Sequence, residues 1–155
     1  MATEIERKFL LSSDAWRDQA TTNRHLVQGY LARGDGSAIR VRVKGDQAEL
    51  NIKHTLDGIN RLEYEYEIPI DDAREILDRI ALRPLIDKTR YIVPIGDHVW
   101  EIDEFHGDND GLIMAEIELG SDDEIFERPE WLGEEVSSDP RYYNSNLSKL
   151  PFSQW

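Results

Sequence analysis

Cysteine is absent from the chain, which rules out a disulfide framework and any reaction that needs a thiolate. Histidine is scarce. His25, His54, His98 and His106 stand far apart, without the spacing of a zinc site. Positive charge is in deficit: 18 Lys and Arg face 32 Asp and Glu, for a formal net charge of −14. Nucleic acids and anionic membrane surfaces both select basic proteins, so neither is an expected partner. A small anion held by locally placed cations is still allowed. No apolar run approaches the roughly 18 residues of a membrane-spanning helix, and the N-terminus lacks the basic-then-apolar order of a signal peptide. A soluble, cytoplasmic protein is the expectation. Apolar residues are also few, at 39%, while charged residues reach 32%. In 155 residues, a length that suits one domain (residues 1–155), such a shortage means either disorder or charge built into the interior. Aromatics spread along the whole chain and frequent strand-like runs exclude disorder.

The first ten residues show what the interior charge looks like. Read as a strand from Ala2 to Leu11, Glu4, Glu6 and Lys8 share one face while Ile5, Arg7 and Phe9 share the other, because side chains alternate. The same inverted pattern recurs. In Ser37–Lys44 the face with Ala38 carries Arg40, Arg42 and Lys44. In Ala48–Thr55, Asn51 and Lys53 oppose Ile52. Ile59–Ile68 sets Arg61, Glu63, Glu65 and Glu67 against Leu62, Tyr64, Tyr66 and Ile68. Leu85–Ile95 aligns Ile86, Lys88, Arg90 and Ile92; His98–Phe105 aligns Val99, Glu101 and Asp103; and Leu112–Leu119 aligns Met114, Glu116 and Glu118. With a strand at Arg24–Arg33 this makes eight. Gly34-Asp35-Gly36, Gly45-Asp46, Asp57-Gly58 and Gly96-Asp97 are hairpin signals between them. Helices are expected at Asp14–Ala20, after Asp71-Asp72 along the stripe Ala73, Ile76, Leu77, Ile80 and Ala81, at Asp123–Glu127 and Glu130–Leu132, and from Pro140 to Lys149 behind a Ser138-Asp139 cap.

Hairpin-linked strands form antiparallel sheets, and eight of them close into a barrel wide enough for a small ligand. Helices need an apolar sheet surface to cover. If they pack on the outside, the charged faces must line the inside. The fold class is therefore α+β: a closed eight-stranded antiparallel β-barrel, a tunnel with a charged interior and helices packed on its exterior. Interior charge must be paired or ligated. Arg40, Arg42 and Arg90 with Lys8, Lys53 and Lys88 suit phosphate oxygens, which Arg forks bind two at a time. Carboxylates facing the same cavity make sense if a divalent ion bridges them to the phosphates. A purely structural salt-bridge network is the plainer reading of the same balance.

E-I-E-R-K at the N-terminus, R-V-R at Arg40 and Arg42, Lys53, E-Y-E at Glu63 and Glu65, K-T-R at Lys88 and Arg90, Asp103, and E-I-E at Glu116 and Glu118 together resemble the CYTH family, the triphosphate tunnel metalloenzymes. The resemblance runs over nearly the whole chain in motif order. It implies a tunnel acting on triphosphates with a divalent metal, Mg²⁺ or Mn²⁺. It also implies metal ligation by Glu4, Glu6, Glu116 and Glu118, phosphate binding by Lys8, Arg40, Arg42, Lys53, Lys88 and Arg90, and a supporting part at the metal or its waters for Glu63, Glu65 and Asp103. A second metal, or a glutamate such as Glu116 or Glu118, would orient the attacking water. The family's last helix, here around Tyr142-Tyr143, lies near the tunnel mouth.

Inorganic triphosphate is the expected substrate, hydrolysed to pyrophosphate and phosphate. A nucleoside or thiamine triphosphatase, or a class IV-type adenylate cyclase, would need an apolar platform for an organic group. Ala38 beside Arg40 offers none, and Met1-Ala2-Thr3 lacks the His-Phe pair typical of the cyclases. A non-catalytic polyphosphate binder is the alternative from another class. Tyr30 is expected in the core or at the rim, and Trp100 on the barrel exterior. The sequence leaves the oligomeric state open, a homodimer included.

Overall fold

The computed structural model describes residues 3–155; Ala2, the expected start of the first strand, lies outside the described residues. The elements are β1 (Thr3–Leu11), β2 (Thr22–Gly34), β3 (Ser37–Lys44), β4 (Gln47–Asp57), β5 (Asn60–Ile68), α1 (Ile70–Arg79), β6 (Ile86–Ile95), β7 (His98–Phe105), β8 (Ile113–Glu118), β9 (Leu132–Glu135) and α2 (Asn144–Leu147). Strand neighbours run β5-β4-β3-β2-β6-β7-β8-β1, and β1 returns to β5. The eight strands thus close into an antiparallel barrel, as the hairpin signals require. At the β2–β3 turn Asp35 and Gly36 both take positive φ, 51° and 81°, the pair that a tight primed hairpin turn demands. β9 takes over from β5 along β1, with Phe9 opposite Glu135 and Leu11 opposite Leu132.

The apolar strand faces point outward and are covered under α1 and on the opposite wall, while Ile52, Tyr64 and Tyr66 stay exposed. α1 lays Ala73 and Leu77 on Val41 and Ala48. Gly29 permits this approach, since a Cβ there would stand 2.7 Å from that of Ala81. On the opposite wall Phe9, Trp100, Ile102 and Ile117 are sealed by Trp16 and Trp131. Trp100 lies on the exterior, as expected, with Phe9 and Trp131 edge-on at 5.5 and 5.7 Å. Burying each such side chain contributes on the order of 2–3 kcal/mol. The interior is not charged throughout. Beyond Lys8 and Lys88 the inward positions become Leu10, Ile86, Phe105 and Met114, and the C-terminal segment packs Val136, Tyr142 and Leu147 against them. One end of the barrel thus has an apolar plug over part of its width.

The expected helices outside α1 are shorter or absent. Asp14–Ala20 yields only a 3-10 turn, Ala15–Gln19, which serves to insert Trp16. Asp123–Glu127 is the end of a turn followed by irregular chain. There the Glu124 carboxylate accepts from the Gly120 amide, and Phe126 packs edge-on to Trp100, so side-chain docking replaces helical periodicity. Glu130–Leu132 leads into β9 instead. Pro140–Lys149 breaks into a 3-10 turn, Pro140–Tyr142, and the single turn α2, because Tyr143 between them is extended (ψ 135°). Asp71 and Asp72 occupy the first turn of α1 rather than its cap, which is Pro69, and there they favour the positive end of the helix dipole. No described helix is long and apolar enough to cross a membrane.

Candidate active site

Strand register brings the inward charges together. Glu6 stands opposite Glu118 and Lys8 opposite Glu116 on β1–β8. Glu101 is opposite Glu116 on β7–β8, and Arg90 opposite Asp103 on β6–β7. Lys53 faces Glu63 on β4–β5. Two adjoining cavities occupy the tunnel, of about 660 and 410 Å³, and share Glu6, Arg40, Lys53 and Asn144 as walls. Each is of the size of a small-molecule site.

One group of charges is tightly matched. Asp103 takes Arg90 Nε and Nη2 on its two oxygens at 2.8 Å each and Lys88 Nζ at 2.8 Å. Burial alone would raise its pKa, but Arg90 and Lys88 hold it down to about 2. With both oxygens engaged by cations, Asp103 orients Arg90 and Lys88. Glu116 is likewise held well below the usual carboxylate range: burial opposes this, and Lys8, Arg90 and Lys88 outweigh it. Its Oε1 meets Lys8 Nζ at 2.5 Å, whereas Oε2 lies 3.9 Å from Arg90, its nearer cation. Burial would strip the proton from Lys8, yet Glu116 and Glu6 keep its pKa above normal. Lys88 is pushed down to about 8 by burial that Asp103 only partly offsets.

A second group sets carboxylate against carboxylate. Burial and then Glu63 raise the pKa of Glu4. Burial followed by Glu116 and Asp103 raises that of Glu101, although Arg90 pulls it down. Burial, then Glu4 and Glu6, raises that of Glu118. Two cations reach this group: Lys53, 3.4 Å from Glu4 and 3.6 Å from Glu63, and Arg90, whose Nη1 lies 3.1 Å from Glu101. Like charges placed opposite each other are destabilising, and a divalent cation relieves that repulsion. Among the described residues no three such side chains yet enclose an ion. A hard cation held by a few carboxylates together with substrate phosphates does not require a complete protein cage. The donor set therefore fits a hard divalent cation shared with substrate phosphates. Glu65 stands at the rim, its side chain 45% exposed and 3.8 Å from Arg42.

Arg40 differs from the other cations. It is only 4% exposed and donates Nε to Asn51 Oδ1 at 3.2 Å, yet no carboxylate among the described residues reaches salt-bridge distance of it. By contrast Arg42 pairs with Glu49. Sequence reasoning left Arg61, Glu101, Asn51 and Asn144 out of the site. Arg61 Nη1 reaches Glu6 at 2.7 Å, and Lys88 Nζ donates to Asn144 Oδ1 at 3.4 Å. Period-two alternation already put Arg61 and Glu101 on the charged faces; Asn144, on the C-terminal segment, carried no such signal. Tyr30 is buried and lines the smaller cavity beside Arg40. Tyr143 is at the mouth, with the Arg61 guanidinium over its ring at 5.2 Å.

The chain is similar to known proteins. The inorganic triphosphatase of Acetivibrio thermocellus is 46% identical over 155 residues, covering 100% of this chain and 99% of that protein. The inorganic triphosphatase of Nitrosomonas europaea is 35% identical over 150 residues, covering 94% and 97%. The crystal structure of the inorganic triphosphatase NE1496 superposes with a TM-score of 0.70 at 34% identity, covering 96% of this chain and 95% of that one. The model of the CYTH domain matches residues 2–151, and with that span the chain belongs to the CYTH family.

Proposed function

We propose that the chain hydrolyses inorganic triphosphate to pyrophosphate and orthophosphate with a bound divalent cation, Mg²⁺ or Mn²⁺. The observation that carries this is Arg40: a buried guanidinium beside a cavity, without a counter-charge, is a site for an anion. Phosphoryl transfer calls for positioning and charge neutralisation more than for covalent help. Water adds to a terminal phosphorus, its bridging P–O bond breaks, and pyrophosphate leaves with the bonding electrons. Arg40, Arg42, Lys53 and Lys8 neutralise charge on the phosphates. Arg90 and Lys88, fixed by Asp103, form the wall behind them. Glu4, Glu6, Glu116 through its freer Oε2, and Glu118 would hold the cation, with Glu63 and Glu101 adjacent. When bound, that cation would supply Lewis-acid neutralisation of phosphate charge. Glu118, exposed in the larger cavity, would orient the water.

Both cavities are lined mainly by charged and polar side chains, and Tyr30 beside Arg40 is buried, which favours a substrate without an organic group. Phosphate release from tripolyphosphate, ATP and thiamine triphosphate at fixed Mg²⁺ tests the reading. Tripolyphosphate is expected to turn over fastest, and excess chelator to stop it. Arg40→Ala should reduce kcat/KM about 100-fold, in the range of losing one aimed charge-stabilising donor, while leaving the fold intact. Preference for ATP, or an Arg40→Ala rate near wild type, would overturn it.

A further inference from the structure

The two cavities differ in charge. The larger one sets carboxylates such as Glu4, Glu63, Glu101 and Glu118 against a nearly equal number of cations, Arg24, Arg42 and Lys44 among them, while the smaller one has an excess of cations: Lys8, Arg33, Arg40, Lys53, Arg61 and Lys149 against Glu6 and Asp35. Glu6 is already engaged by Arg61. The excess in the smaller cavity depends on a slip in β2. Gln28 and Tyr30 face inward, opposite Arg42 and Arg40; the register then shifts at Leu31, so that Ala32 pairs with Ile39 and Arg33 with Ala38. Ala38 shares the inward face with Arg40. Without the shift, alternation would send Arg33 outward, since a one-residue slip exchanges the faces of a strand. Arg33 Nη1 donates to Ser148 Oγ at 3.0 Å, which anchors it under the C-terminal segment. Its Nε is buried with no hydrogen-bond partner. A buried donor without an acceptor is costly, and one that lines a cation-rich cavity lacks an anion.

We propose that Arg33 and Lys149 form a phosphate subsite at the mouth beneath the C-terminal segment, apart from the carboxylate-rich half. Its ligand is an inorganic phosphate group, either the end phosphate of bound triphosphate or the orthophosphate released from it. The identity of that ligand rests on the triphosphatase reading; the anion site itself rests on the bulge and the orphaned Nε.

The test compares Arg33→Gln, Arg33→Lys, Lys149→Gln and, as a control on the outer face of α1, Arg79→Gln. Two quantities are measured: steady-state tripolyphosphate hydrolysis with orthophosphate as inhibitor, and calorimetric binding of inorganic phosphate in chelator. Loss of one charge-assisted contact weakens binding about tenfold. In Arg33→Gln the orthophosphate inhibition constant should rise by about that factor, with kcat within about twofold and partial recovery in Arg33→Lys. A parallel rise in KM places the substrate's end phosphate there; a rise in the inhibition constant alone places the product there. Lys149 is exposed, so Lys149→Gln carries the test even if Arg33→Gln loses stability. Unchanged KM and phosphate inhibition in both variants would overturn the subsite. A wild-type chain without turnover would sink the triphosphatase reading, while phosphate binding lost in the Arg33 and Lys149 variants would still support the subsite.

Discussion

The inner wall of the barrel holds two sets of carboxylates that behave in opposite ways. Asp103 and Glu116 sit among Lys8, Lys88 and Arg90 and are held ionised well below their usual range. Glu4, Glu101 and Glu118 are pushed upward. Both sets are on the same inward face of neighbouring strands, and Glu116 and Glu118 are two residues apart on β8. Residue type does not decide the difference; the nearest charges do. The first set is complete within the protein and fixes cations in place. The second set has too few: Lys53 reaches Glu4 and Arg90 reaches Glu101, yet burial and neighbouring carboxylates still push all three upward, and that repulsion is the driving force for taking up a further cation.

Asp103→Ala gives the largest expected effect. It leaves Lys88 and Arg90 buried with one carboxylate fewer between them, and removing one partner of a buried pair costs about 3–5 kcal/mol. The urea midpoint should fall accordingly and activity should vanish. A midpoint within error of wild type would show that the matched set does not hold the wall. Glu118→Gln is the opposite probe. It removes one of several mutually repelling charges, so the metal-free chain should lose no stability in the same titration, while the Mg²⁺ concentration for half-maximal activity rises about tenfold, as for loss of a metal-supporting group. Equal loss of stability in the two variants would erase the distinction.

Acid offers the mildest test. Asp103 folds with its pKa below the unfolded value of 3.8, so its contribution is present above about pH 4 and is lost as the pH falls toward about 2. Glu4, Glu101 and Glu118 fold with pKa above the unfolded 4.5. Their protonated forms favour the fold, a contribution present below about 4.5 and lost as the pH rises through the raised values. In chelator, the thermal midpoint is therefore expected to hold or rise from pH 7 to about 5 and to drop only below about 4. With Mg²⁺ present, half-saturation should shift to higher Mg²⁺ over that same interval, because protons compete for Glu4 and Glu118. A steady fall in midpoint from pH 7 downward would contradict the assignment.

Much of this was legible in the sequence because β structure exposes its logic at period two. Asp35-Gly36, Gly45-Asp46 and Gly96-Asp97 mark hairpins, and the charged alternation of β1, β3, β5 and β8 announces an inverted barrel. The bulge at Leu31 was not legible. A single slipped residue reverses the faces beyond it, and nothing in Tyr30-Leu31-Ala32-Arg33 records the slip. Pairing was hidden too: the charges on the inward faces nearly balance although the whole chain is acidic, but only the register shows that Asp103 is matched while Glu118 is not. The segment after Leu119 misled for a related reason. Its short polar stretches look like helix starts, yet their conformation is set by where Phe126, Trp131, Tyr142 and Leu147 dock.

β1 has a consequence for how the chain acquires its activity. It pairs with β5, β8 and β9, and its Lys8 amide donates to Ser137 Oγ across 129 residues of sequence. Contacts that distant form late and slowly, because the loop must close before they reward it. Every other ring strand can find a partner through a hairpin or a single crossover, whereas β1 joins the two ends of the sheet. The strand that closes the ring also carries Glu4, Glu6 and Lys8. Ring closure and assembly of the reaction chamber are therefore one event, and a nascent or partly unfolded chain has no catalytic intermediate form.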